Sequence, residues 1–262
     1  MPYPVAKLPY GFRRRLAELA TPSERYQLQV AGNTKSICPP NLQTVSHKER
    51  LKVARNDDGT LSLLAEVEYV QQPFTMGKTD VITCYDTVIL NAVKIEDLET
   101  RFALEPFHLK VINCDHSPEF FQKLASMTHA SPKHMTISSL KEIPLCLATV
   151  FSVFPHIEFV TLKAELPTSW MADILAHQTA KLRTLTIRID GEVIETVNLD
   201  ELSDFIRRQR KEFLMIFRIG DDVIGLEMER KLEQHFTKTK ESTDSTQLII
   251  QDYPWSGYYS LK

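Results

Sequence analysis

The chain lacks several features that would assign it to a class at once. No apolar run reaches the roughly 18 residues that a membrane-spanning helix needs, and the first residues lack the apolar core of a secretory signal. Glycine is scarce, with 8 residues against 14 prolines, which argues against a glycine-rich phosphate loop. Cysteines are scattered and predict neither a dense disulfide scaffold nor a zinc site; they are Cys38, Cys84, Cys114 and Cys146. We therefore expect an intracellular protein, cytoplasmic or nuclear, with reduced thiols.

The common catalytic signatures GxGxxG, GxxxxGKS/T, GxSxG and HExxH are also missing. Cys114, Asp115 and His116 follow a predicted strand, where α/β proteins often place catalytic residues. Adjacent side chains at a strand end point in different directions, and a thiolate needs a positioned base. We expect a buried cysteine and a solvent-facing histidine here, a structural His177 at a helix end, and a turn at Asp221-Asp222. The sequence predicts no catalysis, no cofactor and no metal site.

What is present is ordinary for a globular protein: 43% apolar, 25% charged and 9% aromatic residues. The charge, however, is uneven along the chain. Residues 1–55 contain ten Lys or Arg and three Glu, whereas the remainder contains 21 basic and 31 acidic residues. A basic N-terminal segment on an acidic body indicates two surfaces with different partners; a chance distribution is the alternative. The basic triplet Arg13-Arg14-Arg15 lacks interleaved aromatic residues for base stacking, so we expect the solvated face of a helix rather than a nucleic-acid site.

Residues 8–33 predict two short helices that meet at a proline corner. Pro9 suits a helix start, and Phe12, Leu16 and Leu19 then share one helical face. The first helix must end before Pro22, because the residue preceding a proline avoids the α region, and Thr or Ser at this corner can cap a second helix. The apolar residues of that second helix are Tyr26, Leu28 and Val30. Two such helices bury little surface alone, so we expect them to pack on something else.

A β-hairpin and a strand follow. Apolar residues alternate with polar ones from Leu51 to the turn at Asn56–Gly59, and again from Leu61 to Tyr69. Residues 71–80 are predicted as a loop and Val81–Val93 as another strand.

From about residue 107 the sequence repeats loosely, with a short strand core and an amphipathic segment every 25 to 34 residues. The predicted strand cores are Leu109–Val111, Met135–Ile137, Val160–Leu162, Leu185–Ile187, Leu214–Ile216 and Leu248–Ile250. This period is typical of a leucine-rich-repeat-like solenoid, although the strict LxxLxLxxN consensus is absent. An α/β sandwich of parallel units of similar length is the alternative. The aromatic tail Tyr253–Tyr259 is expected to cap the last repeat, or else to serve as a partner epitope.

The segment Leu8–Val30 resembles an F-box, in the divergent form found in the expanded nematode F-box protein families. The matching positions are Leu8-Pro9, Phe12, Leu16, Pro22, Glu24, Leu28 and Val30. The resemblance covers about a tenth of the chain. It implies an α/β protein with an F-box-like helical segment and linker at residues 1–46, and a target-binding domain at residues 47–262 that contains the hairpin and the repeat.

The resemblance further implies a non-catalytic substrate receptor of a Skp-cullin-F-box ubiquitin ligase, with a Skp-type adaptor and a protein target as partners. The residues expected to bind the adaptor are Leu8, Pro9, Phe12, Leu16, Leu19, Pro22, Tyr26, Leu28 and Val30. The first alternative is a stoichiometric subunit or inhibitor-type binding protein that keeps the helices as internal packing and has lost adaptor docking. Arg25, at a position that is usually apolar in the family, and Cys38-Pro39-Pro40, where a third helix would form, favour that alternative. A nucleic-acid-associated protein is the second alternative and has only local charge in its favour.

Overall fold

A computed structural model of the chain describes residues 7–31, 43–77, 79–140, 144–189, 197–219, 228–239, 247–252 and 255–262. The predicted irregular connector after the helices, with Cys38-Pro39-Pro40, and the predicted turn at Asp221-Asp222 lie outside these residues. The protein is mixed α/β and divides into two compact units. The first unit is Met1–Leu109 with Lys123–Ser131, and the second is Lys110–Gln122 with Pro132–Lys262.

Strands of the first unit form a mixed sheet in which β5 pairs with β4 and the remaining order is β4-β1-β2-β3. They are β1 (Val45–Arg55), β2 (Leu61–Val67), β3 (Val70–Pro73), β4 (Val81–Asn91) and β5 (Phe102–Leu104), with a 3-10 turn at Ile95–Asp97. β4 runs parallel to β1 and β5, whereas β1-β2 and β2-β3 are antiparallel.

The predicted hairpin is confirmed, with Leu51 paired to Ala65 and Val53 to Leu63. Its turn closes through the Asn56 N–H, which donates to the Thr60 carbonyl at 2.8 Å. Gly59 adopts φ +83° there, a conformation that disfavours residues with a Cβ.

The predicted loop at residues 71–80 is wrong at its start, because β3 occupies Val70–Pro73. A tight turn through Glu68 and Tyr69, both at positive φ, folds the chain back onto β2. Tyr69 therefore lies in a turn rather than in the second hairpin strand, and its side chain is 90% exposed.

Two helices precede this sheet in the first unit, as predicted: α1 (Tyr10–Leu19) and α2 (Pro22–Ala31). Between them Thr21 and Glu24 form a capping box: the Glu24 carboxylate accepts from the Thr21 N–H at 2.7 Å, and the Thr21 hydroxyl accepts from the Glu24 N–H at 3.3 Å. Pro22 opens α2, where its missing N–H leaves no helical hydrogen bond unmade. The helix pair thus shares a unit with the first strands, whereas the sequence places a boundary after residue 46.

The second unit alternates strands and helices. Its elements are β7 (His134–Ser138), α4 (Leu147–Val153), β8 (Phe159–Lys163), α5 (Trp170–His177), β9 (Thr184–Ile189), α6 (Leu199–Arg208), β10 (Leu214–Ile219), β11 (Phe236–Thr239), β12 (Leu248–Asp252) and β13 (Trp255–Leu261). A boundary between the units falls within β6 (His108–Ile112) and another within α3 (Pro118–Met127). All six predicted strand cores therefore lie in strands.

Strands β7, β8, β9, β10 and β12 are parallel neighbours in that order, followed by the antiparallel β13 and β11. Their register aligns two ladders of buried side chains: Met135, Val160, Leu185, Met215 and Leu248 in one, and Ile137, Leu162, Ile187, Phe217 and Ile250 in the other. The predicted inward orientation of Leu185 and Ile187 is thereby confirmed.

The buried residues of α4, α5 and α6 include Phe151, Trp170 and Phe205, as expected for helices that cross over between neighbouring parallel strands and pack back on the sheet. The aromatic tail is built into the sheet as β13, with Tyr259 buried and its hydroxyl donating to Glu229 at 2.9 Å. Residues 253–254 of that tail lie outside the described residues. The tail therefore packs against the last parallel strand, as expected for a cap.

Candidate functional site

The helix pair exposes several of its large apolar side chains, whereas Leu16, Tyr26 and Leu28 are half-buried. Phe12 is 66% exposed, Leu19 68% and Val30 60%. The buried residue of α1 is Ala17 and that of α2 is Ser23. An apolar helix face that packs on its own protein buries such side chains, whereas no part of the described chain buries Phe12, Leu19 and Val30.

Backbone and polar contacts hold α2 on the first unit. The Ser23 N–H donates to the Thr100 carbonyl, and the Ser23 hydroxyl donates to the Phe102 carbonyl, both at 3.0 Å. The Tyr26 side chain hydrogen-bonds Tyr85 of β4; burial, this hydrogen bond and the charge of Glu105 raise the pKa of Tyr26. These contacts use the inner side of α2 and leave its outer side uncovered.

Arg25 ends the first helix from within the second. Its Nη1 donates to the Ala20 carbonyl at 2.6 Å and to the Ala17 carbonyl at 3.2 Å, and its Nε donates to Gln43 Oε1 at 3.2 Å. The last carbonyls of a helix have no partner within the helix, and a cation also favours that end of the helix dipole. Arg25, which departs from the family pattern, therefore ties α2 to the C-terminal end of α1 and stabilises the angle between the two helices.

A groove of about 500 Å³ runs between the helices. It is lined by Leu16, Leu19, Ala20, Glu24, Gln27, Leu28 and Ala31. Sequence reasoning predicted Leu16, Leu19 and Leu28 for this surface but missed the others. The small side chains of Ala20 and Ala31 leave room for the groove, and the spacing of these two residues in the sequence does not predict that role.

The nine residues predicted from the resemblance do not share one surface. Phe12, Leu19 and Val30 are exposed, Leu16 and Leu28 line the groove, and Leu8 and Pro22 are half-buried. Pro9 is exposed and lies at the N-terminus of α1, where its carbonyl accepts from the Phe12 N–H at 3.0 Å. Tyr26 faces Tyr85 instead, so it positions α2 rather than extending the exposed face.

The arginine triplet in α1 is largely engaged within the helix. Arg14 and Arg15 pair with the same carboxylate, Glu18, at 3.2 and 3.1 Å. Hydrogen bonds from Arg15 and Arg14 lower the pKa of Glu18. This arrangement fits the predicted solvated helix face.

Cys114 and His116 follow β6, and both are buried. Cys114 is buried as expected, and its thiol donates to the Ile112 carbonyl at 3.4 Å. The prediction of a solvent-facing His116 is wrong: the residue is 8% exposed, and its ring packs on Phe121 with centroids 6.3 Å apart. His177 is the last residue of α5, where its Nδ1 lies 3.1 Å from the Ser152 hydroxyl.

In the described part of the chain, no three His, Cys, Asp or Glu side chains gather as a metal site would require. Among the described helices, none combines the length and apolar character needed to cross a bilayer. Comparisons with protein-family models, curated proteins and solved structures gave no match.

Proposed function

We propose that this chain is a non-catalytic substrate receptor of a Skp-cullin-F-box-type ubiquitin ligase, in which α1 and α2 dock on a Skp-type adaptor. Target capture then falls to the strand and helix repeat of the second unit, which we interpret as leucine-rich-repeat-like. Under this proposal the chain performs no chemistry of its own and needs no cofactor.

The exposed apolar face of the helix pair is the observation that supports docking most directly. Phe12, Leu19 and Val30 are each at least 60% exposed, and large apolar side chains exposed on one helix pair are the kind of surface that a protein partner covers. The groove that Leu16 and Leu28 line next to this face offers the concave pocket in which interface anchors insert.

The main alternative makes the helix pair internal packing that has lost adaptor docking. Internal packing would bury the large apolar side chains, yet Phe12, Leu19 and Val30 are exposed. Arg25, which favoured that alternative in the sequence, caps α1 and so maintains the geometry of the pair. Both observations favour docking over internal packing.

Co-purification with a nematode Skp-type adaptor tests the proposal. We expect the full chain to form a complex with the adaptor that survives gel filtration. The variant Phe12→Ala/Leu19→Ala/Val30→Ala should lose it, because truncating a large interface side chain often costs about 2 kcal/mol, roughly thirtyfold in affinity. Since the three side chains are exposed, the variant should keep the circular dichroism spectrum of the parent.

A matched control lies in the same unit. Val67, Tyr69 and Val70 are 49%, 90% and 58% exposed at the β2-β3 turn, so their triple alanine variant removes similar apolar surface elsewhere. This control should bind the adaptor as the parent does. Leu8→Ala with Pro9→Ala, at the start of α1, should weaken binding. A parent chain that binds no adaptor would refute the proposal and favour the stoichiometric binding protein.

A further inference from the structure

One face of the parallel sheet in the second unit carries none of α4, α5 and α6, the described helices that connect β7 to β10. The chain passes from β7 to β8, β9 and β10 through α4, α5 and α6, and each strand is the neighbour of the previous one. Such crossovers are right-handed, and because the strands advance in one direction, the three helices lie on the same face. The two buried ladders point toward these helices, so the alternate residues point to the opposite, helix-free face.

Register arranges the helix-free face in rows. The central row runs through Thr136, Thr161, Thr186, Ile216 and Ile249. Its side chains are half-buried except that of Thr186, which is buried. Five parallel strands at the usual spacing make this row about 19 Å long, enough for a short extended segment.

A row of cations borders the central row at the carboxyl ends of the strands. Lys163 follows Leu162, which pairs with Ile187, so Lys163 comes level with Arg188; Arg188 pairs directly with Arg218. All three side chains are exposed. Within the described part of the chain, no ion pair or side-chain hydrogen bond involves any of them.

Three like charges about 5 Å apart on neighbouring strands repel one another. A ligand with several negative charges would relieve this repulsion. Carboxylates suit the two arginines, because a carboxylate can accept two parallel hydrogen bonds from a guanidinium. Nucleic acid fits less well, because three cations neutralise few phosphates.

We infer that the helix-free face of the second unit binds an acidic, extended protein segment, whose carboxylates pair with Lys163, Arg188 and Arg218. This inference rests on the proposed function, in which the second unit captures the target, and it names the chemical class of that target. The half-buried Thr and Ile row would contact the backbone and the uncharged side chains of the segment.

Fluorescence anisotropy with the full chain tests the inference. The probe is a labelled 12-residue peptide of alternating Glu and Ala, and the comparison peptide has Gln in place of Glu. The parent should bind the Glu peptide at low salt and lose it as salt rises, while the Gln peptide should bind at least about tenfold more weakly. The variant Lys163→Gln/Arg188→Gln/Arg218→Gln should weaken binding of the Glu peptide by about tenfold.

The matched control removes the same charge from the other end of the strands. Lys133, Lys181 and Lys211 are exposed and precede β7, β9 and β10, and their triple Gln variant should bind the Glu peptide within about twofold of the parent. Both triple variants should still co-purify with the adaptor, so a failure of this inference is separable from a failure of adaptor docking.

Three results would overturn the inference. The parent could fail to bind the Glu peptide, the two triple variants could lose equal affinity for it, or the Lys163→Gln/Arg188→Gln/Arg218→Gln variant could bind it as tightly as the parent. Tighter binding of a 12-nucleotide single-stranded DNA, lost in the first variant alone, would replace the acidic segment with nucleic acid as the ligand.

Discussion

Arg25 gives the sharpest test of how the helix pair is held. The substitution Arg25→Met keeps the length and much of the apolar stem of the side chain but removes the guanidinium that binds the Ala17 and Ala20 carbonyls. It also restores the apolar character that the F-box pattern has at this position. If the resemblance alone determined stability, this change would be neutral or favourable.

The contacts predict the opposite. A hydrogen bond to a charged group contributes about 1.5–3 kcal/mol to stability, but Arg25 is only half-buried and water can reach the freed carbonyls. We therefore expect the free energy of opening of α1 to fall by about 1–2 kcal/mol in total. Amide exchange in α1 should become about 5- to 30-fold faster.

Hydrogen exchange followed by mass spectrometry measures this directly, on peptides that cover α1, α2 and the hairpin. Arg15→Met is the matched control, since Arg15 is 67% exposed and pairs with Glu18 on the surface, an interaction of about 0–1 kcal/mol. Exchange in the hairpin should stay unchanged in both variants. Unchanged exchange of α1 in Arg25→Met, or equal acceleration in the two variants, would refute the capping role.

Three further predictions concern the rest of the chain. Leu185→Ala should lower the free energy of unfolding, measured in urea, by about 2–5 kcal/mol, because Leu185 is fully buried between Val160 and Met215. Thr186→Ala, on the other face of β9, should lower it by about 1 kcal/mol. Equal losses would mean that the two faces of β9 are misassigned. Burial raises the pKa of the Cys84 thiol to about 11, so iodoacetamide at pH 8 should modify Cys84 only after unfolding, and rapid labelling of the folded chain at Cys84 would contradict this. The stability that the neutral thiol contributes should persist below about pH 8.5 and be lost as pH rises toward 11. Cys114→Ser and His116→Ala should leave the cellular function intact, because neither group is required to react under the proposed function. Loss of cellular function in a variant that still folds and still binds its partners in a pull-down assay would favour an enzymatic role instead.

The alternation of strands and helices in the second unit was predictable because its signal is local. Apolar and polar residues alternate within one strand at Leu185, Thr186 and Ile187. A buried strand between two amphipathic segments can therefore be recognised from its own sequence, without information about the neighbouring strands. The order of the strands then follows from the short connections and the handedness of the crossovers. The strand β3 was missed for the opposite reason: Glu68 and Tyr69 turn the chain at positive φ without the Gly or Asn that usually marks such a turn.

The functional surfaces were less predictable, because they depend on contacts between residues distant in sequence. Arg188 and Arg218 are 30 positions apart, and only the register of β9 with β10 brings them level. Arg25 departs from the apolar residue that the resemblance predicts at this position, and its contacts with the α1 carbonyls join residues of two different helices. The spacing of Tyr26 in α2 predicts a residue of the exposed apolar face. Its partner Tyr85 lies on β4, and the pattern of apolar residues in α2 carries no information about that strand.

The way the helix pair is attached bears on why it exposes apolar surface at all. Helix pairs that belong to a core are held mainly by burial of large side chains, which removes those side chains from any later interface. Here Ser23 and the backbone of α2 make the attachment through hydrogen bonds to Thr100 and Phe102, and Arg25 fixes the angle to α1. Polar anchoring of this kind positions two helices while leaving Phe12, Leu19 and Val30 uncommitted. Replacing Ser23 should therefore change the position of the proposed docking face, whereas replacing Phe12 should change the face itself.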